Sequence, residues 1–130
     1  MAKTKILLIE SEKEIRKSII NFLSKTGDYR FFEASDGEDG ITMFNFHRPN
    51  IVIIDLRVSG VRGEEVIRII KRPLHNETNM ICFSSNSELE EVAKAAGCDV
   101  FLKKPFHLLQ LQEAVEKLLK KNCIKTLTCR

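Results

Sequence analysis

Short apolar runs recur along the chain at Ile6 to Ile9, Phe31 to Ala34, Ile51 to Ile54, Met80 to Phe83 and Val100 to Leu102. Each is bounded by polar residues and most are rich in branched side chains, which suits strands buried on both faces of a parallel sheet. Between the runs the apolar spacing widens to a helical period. Ile15, Ile19, Phe22 and Leu23 recur at i, i+4, i+7 and i+8, giving one apolar face. Ser11-x-x-Glu14 in front of them matches a capping box, and Gly27 is placed to close the segment. Ile41 and Phe44 mark a second helix, from about Asp36 to before Pro49. Val66, Ile69 and Ile70 mark a third, from about Gly63 to before Pro73. Leu89, Val92, Ala93 and Ala96 mark a short fourth, capped by Gly97, and Leu108, Leu111, Val115, Leu118 and Leu119 mark a fifth. The order is βα repeated five times. Such alternation calls for parallel strands with right-handed crossovers, hence an open α/β sheet covered by helices on both faces.

In such sheets ligands bind beyond the carboxyl ends of the strands, near a switch point in strand order. The residues there are Glu10-Ser11-Glu12 after the first run, Asp55 after the third, Ser84-Ser85 after the fourth and Lys103-Lys104-Pro105 after the fifth. Taken singly, an Asp after a strand is a turn or cap residue, and a lysine there is a solvated charge. Taken together, Glu10, Asp55, Ser84 and Lys104 make one shallow site. Paired carboxylates suit a hard cation such as Mg²⁺, which keeps several waters and few protein ligands. An ammonium and a hydroxyl suit phosphoryl oxygens, and a carboxylate can itself be a nucleophile that forms an acyl phosphate.

Composition bounds these readings. The 130 residues suffice for one domain with a real core; apolar residues are 43% and charged residues 30%. The net charge of +3, from 21 basic and 18 acidic side chains, does not by itself call for nucleic acid or membrane. The basic C-terminal residues Lys117, Lys120, Lys121, Lys125 and Arg130 carry no interleaved aromatics and no recognition motif. A solvated helix face with pairs such as Glu113–Lys117 and Glu116–Lys120 accounts for them better. No signal-peptide core or membrane span is present, so the cytoplasm is the expected compartment. Cys82, Cys98, Cys123 and Cys129 form no CxxC pair and are read as reduced structural thiols; His47, His75 and His107 are scattered and read as surface residues. There is no P-loop, no GxGxxG and no nucleophile–base pair of a small-molecule enzyme.

Four stretches carry a family resemblance: Lys5-Ile-Leu-Leu-Ile-Glu10, Arg48-Pro-Asn-Ile-Val-Ile-Ile-Asp55-Leu, Ile81-Cys-Phe-Ser84-Ser, and Ala96-Gly-Cys-Asp-Val-Phe101-Leu-Lys-Lys104-Pro-Phe106. From Lys5 to about Lys121 the chain resembles the receiver domain of two-component response regulators, with residues 122 to 130 as a tail or the start of a linker. The resemblance implies a flavodoxin-like (βα)5 fold with strand order 2-1-3-4-5. It implies that Asp55 accepts a phosphoryl group from a sensor histidine kinase or a histidine phosphotransfer protein, with Mg²⁺ required. Glu10, Asp55 and the backbone carbonyl of Arg57 would hold the metal. Ser84 would be the switch hydroxyl, Phe101 the switch aromatic and Lys104 the phosphoryl-pairing lysine, joined to Pro105 by a cis bond. The output surface would be the fourth helix, fifth strand and fifth helix, engaging a downstream protein target or an output domain, and offering a homodimer face. Such a chain is a signalling domain, limited to self-phosphotransfer and self-dephosphorylation.

The sequence also departs from the pattern. Ser11 stands where the family usually has a second acid; serine keeps the helix-capping role and loses the charge, so weaker Mg²⁺ binding is expected, with Glu10 or Glu12 partly compensating. After Asp55 the chain reads Val58-Ser-Gly-Val-Arg62-Gly63, keeping the glycines but not the usual proline and acid. Arg57 lies where water or a phosphatase would approach. Ser11 therefore supports an alternative: a pseudo-receiver, binding protein partners without phosphorylation.

Overall fold

A computed structural model describes residues 3–72 and 77–128, and side chains as far as Lys121. Five strands and five helices alternate: β1 (Thr4–Ile9), α1 (Lys13–Ser24), β2 (Tyr29–Ala34), α2 (Gly37–His47), β3 (Ile51–Asp55), α3 (Gly63–Ile70), β4 (Asn79–Ser84), α4 (Leu89–Ala96), β5 (Val100–Lys103) and α5 (Leu108–Thr128). All the strands pair in parallel in the order β2-β1-β3-β4-β5, the flavodoxin-like arrangement. The order reverses between β1 and β3, which places the switch point between Glu10 and Asp55.

The two-residue period of the strands builds a separate core on each face. Leu7, Ile9, Val52, Ile54, Met80 and Cys82 pack with Phe44, Val66, Ile67, Ile70 and Ala93 of α2, α3 and α4. Ile6, Leu8, Ile51, Ile53, Ile81 and Phe83 pack with Ile19, Leu23, Leu111 and Val115 of α1 and α5. This explains the unbroken apolar runs: both faces of the central strands are covered.

The amino-terminal edge of the sheet is stapled by polar groups. Asn50 Oδ1 accepts from the Lys5 N–H (2.8 Å), and the Asn50 carbonyl accepts from the Asn79 N–H (3.1 Å). The Thr78 hydroxyl donates to the Pro49 carbonyl (3.1 Å). Lys71 Nζ and the Met80 N–H both donate to Asp99 Oδ2, at 3.2 and 2.8 Å. Arg48 ends α2 in the left-handed region (φ 49°), its N–H still donating to the Phe44 carbonyl, and Pro49 follows.

Several local expectations change. Ser11 does not cap α1: the cap is Glu12, which makes no side-chain capping bond. The reason is Glu10, whose Oε2 takes the Glu12 N–H at 2.7 Å and the Ser11 hydroxyl at 3.3 Å. Gly27 does not close α1 either. The helix ends at Ser24 with Lys25 as cap, and the Ser24 and Thr26 hydroxyls donate to the Asn21 and Leu23 carbonyls at 2.9 Å each. Gly27 instead leaves room for the Tyr29 ring, 2.5 Å from where a Cβ would stand. Helix α5 runs on past Lys121 to Thr128, into the stretch read as tail or linker.

His47 is half-buried, its ring stacked on Phe32 at 3.8 Å, while His107 is exposed and His75 lies outside the described residues. Among the described residues the Glu113–Lys117 and Glu116–Lys120 pairs are not closed; Glu116 accepts from the Gln112 amide at 3.1 Å. Cys82 and Cys98 are buried free thiols, and the side chains of Cys123, Lys125, Cys129 and Arg130 lie outside the described residues. No described helix is long and apolar enough to cross a membrane.

Candidate functional site at the carboxyl edge of the sheet

Four of the five strands deliver one polar residue each to the same rim. Glu10 follows β1, Asp55 ends β3, Ser84 ends β4 and Lys104 follows β5. The ladder is prolonged past the strand ends, as the Leu56 N–H donates to the Phe83 carbonyl (3.0 Å) and the Lys104 N–H to the Ser84 carbonyl (2.9 Å). Those bonds fix the backbone on the β4 and β5 side of Asp55, and on the other side of the acidic pair the Glu10 N–H donates to the Ala34 carbonyl (3.0 Å).

Asp55 is buried, with 6% exposure, and both its oxygens are engaged. Lys104 Nζ reaches Oδ2 at 2.9 Å and the Arg57 N–H reaches Oδ1 at 2.9 Å. Lys104 is itself fixed from behind. Its ammonium lies 5.0 Å from the centre of the Phe83 ring, and Phe83 meets Phe106 edge to face at 5.4 Å. The Lys104–Pro105 bond is cis.

Glu10 is almost fully enclosed, with 1% exposure. Its Oε2 accepts the two bonds described above, while Oε1 is buried without a partner. Burial pushes its carboxyl above the ordinary value of 4.5, and the Asp55 carboxylate pushes the same way; the Glu12 N–H and Lys104 pull it back. A buried acceptor without a partner is costly unless something arrives to fill it. That oxygen and the Asp55 carboxylate beside it are hard donors of the kind Mg²⁺ takes. The residues therefore fit the cation in kind, with two carboxylates rather than three. Among the described residues no group of three or more His, Cys, Asp and Glu side chains converges as a metal cluster.

The remaining candidates stand as follows. The Ser11 and Glu12 side chains are exposed, and the Ser11 hydroxyl is turned onto Glu10. Ser84 is fully buried and its oxygen accepts the Asn86 N–H at 3.1 Å. Phe101, paired with Cys82, is half-buried against the cluster beneath α3 and α4. The Arg57 side chain is exposed, and its Nη1 meets the Ser85 hydroxyl at 3.5 Å, across the mouth of the site.

Arg16 is the participant that the sequence reading misses. Its Nη1 donates to the Glu10 carbonyl (2.5 Å) and the Ser11 carbonyl (3.4 Å), while its Nε pairs with Glu33 at 2.9 Å. It straps the β1–α1 turn from below. On the polar side of an amphipathic helix, nothing in the sequence distinguishes it from a solvated arginine.

Known proteins share this fold. A family model described as the response regulator receiver domain matches residues 6–116. Sporulation initiation phosphotransferase F of Bacillus subtilis is 26% identical over 121 residues, covering 92% of this chain and 96% of that protein. The transcriptional regulatory protein PdtaR of Mycobacterium tuberculosis is 28% identical over 112 residues; the match covers 86% of this chain but only 55% of that longer protein. The crystal structure of a CheY-like response regulator receiver domain protein from Methanospirillum hungatei superposes with a TM-score of 0.87 at 19% identity, covering 95% of this chain and 99% of that one.

Proposed function

The chain belongs to the response regulator receiver domain family of two-component systems, a family of signalling domains, and we propose that it works as a phosphorylation-driven switch with Asp55 as acceptor. The observation that carries the reading is the contact of Lys104 Nζ with Asp55 Oδ2 at 2.9 Å beside the unpartnered Glu10 Oε1. A buried carboxylate held by a single ammonium, with a second carboxylate next to it, leaves one negative charge unmatched, a balance that suits a cation able to bring phosphoryl oxygens to Lys104 rather than structural pairing alone.

In this reading an Asp55 oxygen attacks the phosphorus of a phosphohistidine on a partner kinase or phosphotransfer protein, and the imidazole leaves. The Arg57 N–H and Lys104 orient the carboxylate, and Lys104 offsets the charge that develops on the phosphoryl oxygens. Glu10, Asp55 and the Arg57 carbonyl would hold Mg²⁺, which when bound supplies further neutralisation of those oxygens. The Ser84 hydroxyl, freed from the Asn86 N–H, donates to the phosphoryl group. Phe101, on the adjacent strand, follows it inward, and the surface of α4, β5 and α5 changes. That surface already exposes Val92 and Leu109, apolar groups suited to a downstream protein target or a second copy. The switch is a population shift between two surfaces, biased by one covalent charge.

A second reading is favoured by one observation. The Ser11 hydroxyl donates to Glu10, bringing a neutral group where a third carboxylate would strengthen the cation site. A pseudo-receiver that binds partners without phosphate would have that composition. Incubation with acetyl phosphate and Mg²⁺, followed by intact mass, decides between them. One phosphoryl adduct on the wild type and none on Asp55→Asn is the expected result. An unmodified wild type, beside a control receiver that is modified, would favour the second reading.

A further inference from the structure

The side-chain charges at the rim are unusual in their balance. Two carboxylates, Glu10 and Asp55, have one cation in contact, Lys104 at 2.9 Å from Asp55; the Arg57 guanidinium reaches Ser85, next to the rim residue Ser84, and Ser11 adds no charge. Phosphorylation of Asp55 exchanges one negative charge for two. Among the described residues, Lys104 is the side-chain cation in contact with Asp55, in a pocket that already contains Glu10, so without Arg57 the dianion would be under-neutralised. The guanidinium stands across the mouth of the site, and its Ser85 contact, at 3.5 Å, is at the outer limit of a hydrogen bond and costs little to give up. Its own backbone N–H is anchored on Asp55 Oδ1 at 2.9 Å, so the side chain pivots from a fixed point next to the acceptor. A guanidinium offers a planar fork that fits phosphoryl oxygens and stays charged at any working pH.

We infer that the Arg57 guanidinium is a phosphoryl-binding group that leaves Ser85 to clasp phosphorylated Asp55, making acceptance and retention of the phosphoryl group only weakly dependent on Mg²⁺. The inference rests on Asp55 being the acceptor. With a small donor such as phosphoramidate the step balances without a further reactant. A P–O bond forms from the Asp55 carboxylate, the P–N bond breaks, and the nitrogen, already protonated in the donor, leaves as ammonia. The product carries two negative charges, met by Lys104 and Arg57.

The test uses the full 130-residue chain, phosphoramidate as donor, and intact mass as readout, in Mg²⁺ and in EDTA. Labelling rate and the half-life of the adduct after donor removal are measured for wild type, Arg57→Ala and Arg57→Lys. The side chain is exposed, so thermal melts are expected to confirm that all three are folded. Wild type is expected to label in EDTA at a rate within about tenfold of that in Mg²⁺. Arg57→Ala should lose about tenfold more labelling in EDTA than in Mg²⁺, the equivalent of one hydrogen bond between charged groups. Arg57→Lys should recover part of that loss. Wild type labelled in Mg²⁺ but not in EDTA overturns this inference alone, as does an Arg57→Ala variant with the wild-type ratio. No labelling in either condition overturns both this inference and the acceptor role of Asp55.

Discussion

Replacing Glu10 with glutamine should stabilise the protein at neutral pH while weakening its cation site. In the wild type Oε1 is buried and unpartnered, and the carboxylate neighbours Asp55. An unpartnered buried acceptor costs about 1–3 kcal/mol, more when charged. Glutamine keeps an oxygen to accept the Glu12 N–H, which Glu10 holds at 2.7 Å, and turns an NH2 toward the Asp55 carboxylate. Both changes are favourable, so the gain should be about 1–3 kcal/mol, or roughly 3–10 °C in Tm for a chain of this size. The pH dependence follows from the raised carboxyl. Native Glu10 holds its proton more tightly than the unfolded chain does, so its ionisation destabilises the fold. The wild-type deficit should be full above the raised native pKa, shrink as pH falls through it, and vanish below the ordinary value of 4.5. Thermal melts of both proteins in EDTA across that range provide the assay. A Glu10→Gln protein that melts lower at neutral pH, or a gap that does not close in acid, would refute the reasoning. Adding Mg²⁺ should then raise the wild-type Tm and move the variant less, because ligand binding stabilises only the state that binds.

Three further outcomes are expected. Ser11→Asp should tighten Mg²⁺ about tenfold in a calorimetric titration, the direction set by one added carboxylate; equal affinities would remove Ser11 as the cause of a weak site. Asp36→Ala should cost about 1 kcal/mol in urea unfolding, since Asp36 Oδ1 is the N-cap acceptor for the Asp39 N–H at 2.8 Å. Gly63→Ala should cost more, about 1–3 kcal/mol, because a Cβ there would stand 2.8 Å from the Leu56 Cα and 2.9 Å from its carbonyl oxygen, both backbone atoms.

The parts of this structure visible in the sequence are those governed by period. Ile51 to Ile54 is apolar at every position because Ile51 and Ile53 face α1 and α5 while Val52 and Ile54 face α2, α3 and α4. Strand ends are legible for the same reason: the run stops where the covering helices stop, so Glu10, Asp55, Ser84 and Lys104 could be located together. What stayed hidden depends on competition between neighbours. A Ser-x-x-Glu spacing marks a cap only if nothing nearby offers a better acceptor, and Glu10 does. Arg16 is likewise silent as a sequence symbol, since it reaches two backbone carbonyls in the turn before its own helix and a carboxylate, Glu33, 17 residues away. Glu10 itself was found by position, but its spare oxygen is a fact of burial that no spacing encodes.

The two ends of the sheet are built from different materials. At the amino-terminal edge Asn50, Thr78 and Asp99 tie strands to loops with uncharged bonds and one largely shielded ion pair. At the carboxyl edge the loops meet through charges whose balance shifts with each proton, cation or phosphoryl group. The domain thus resembles a vice with a fixed jaw and a movable one. In the proposed switch, a change at Asp55 would find its outlet sideways, through β4, β5 and the helices beside them. Amide exchange should register that partition, with protection at Asn79 and Met80 unchanged by any ligand that alters it at Ser84 and Lys104.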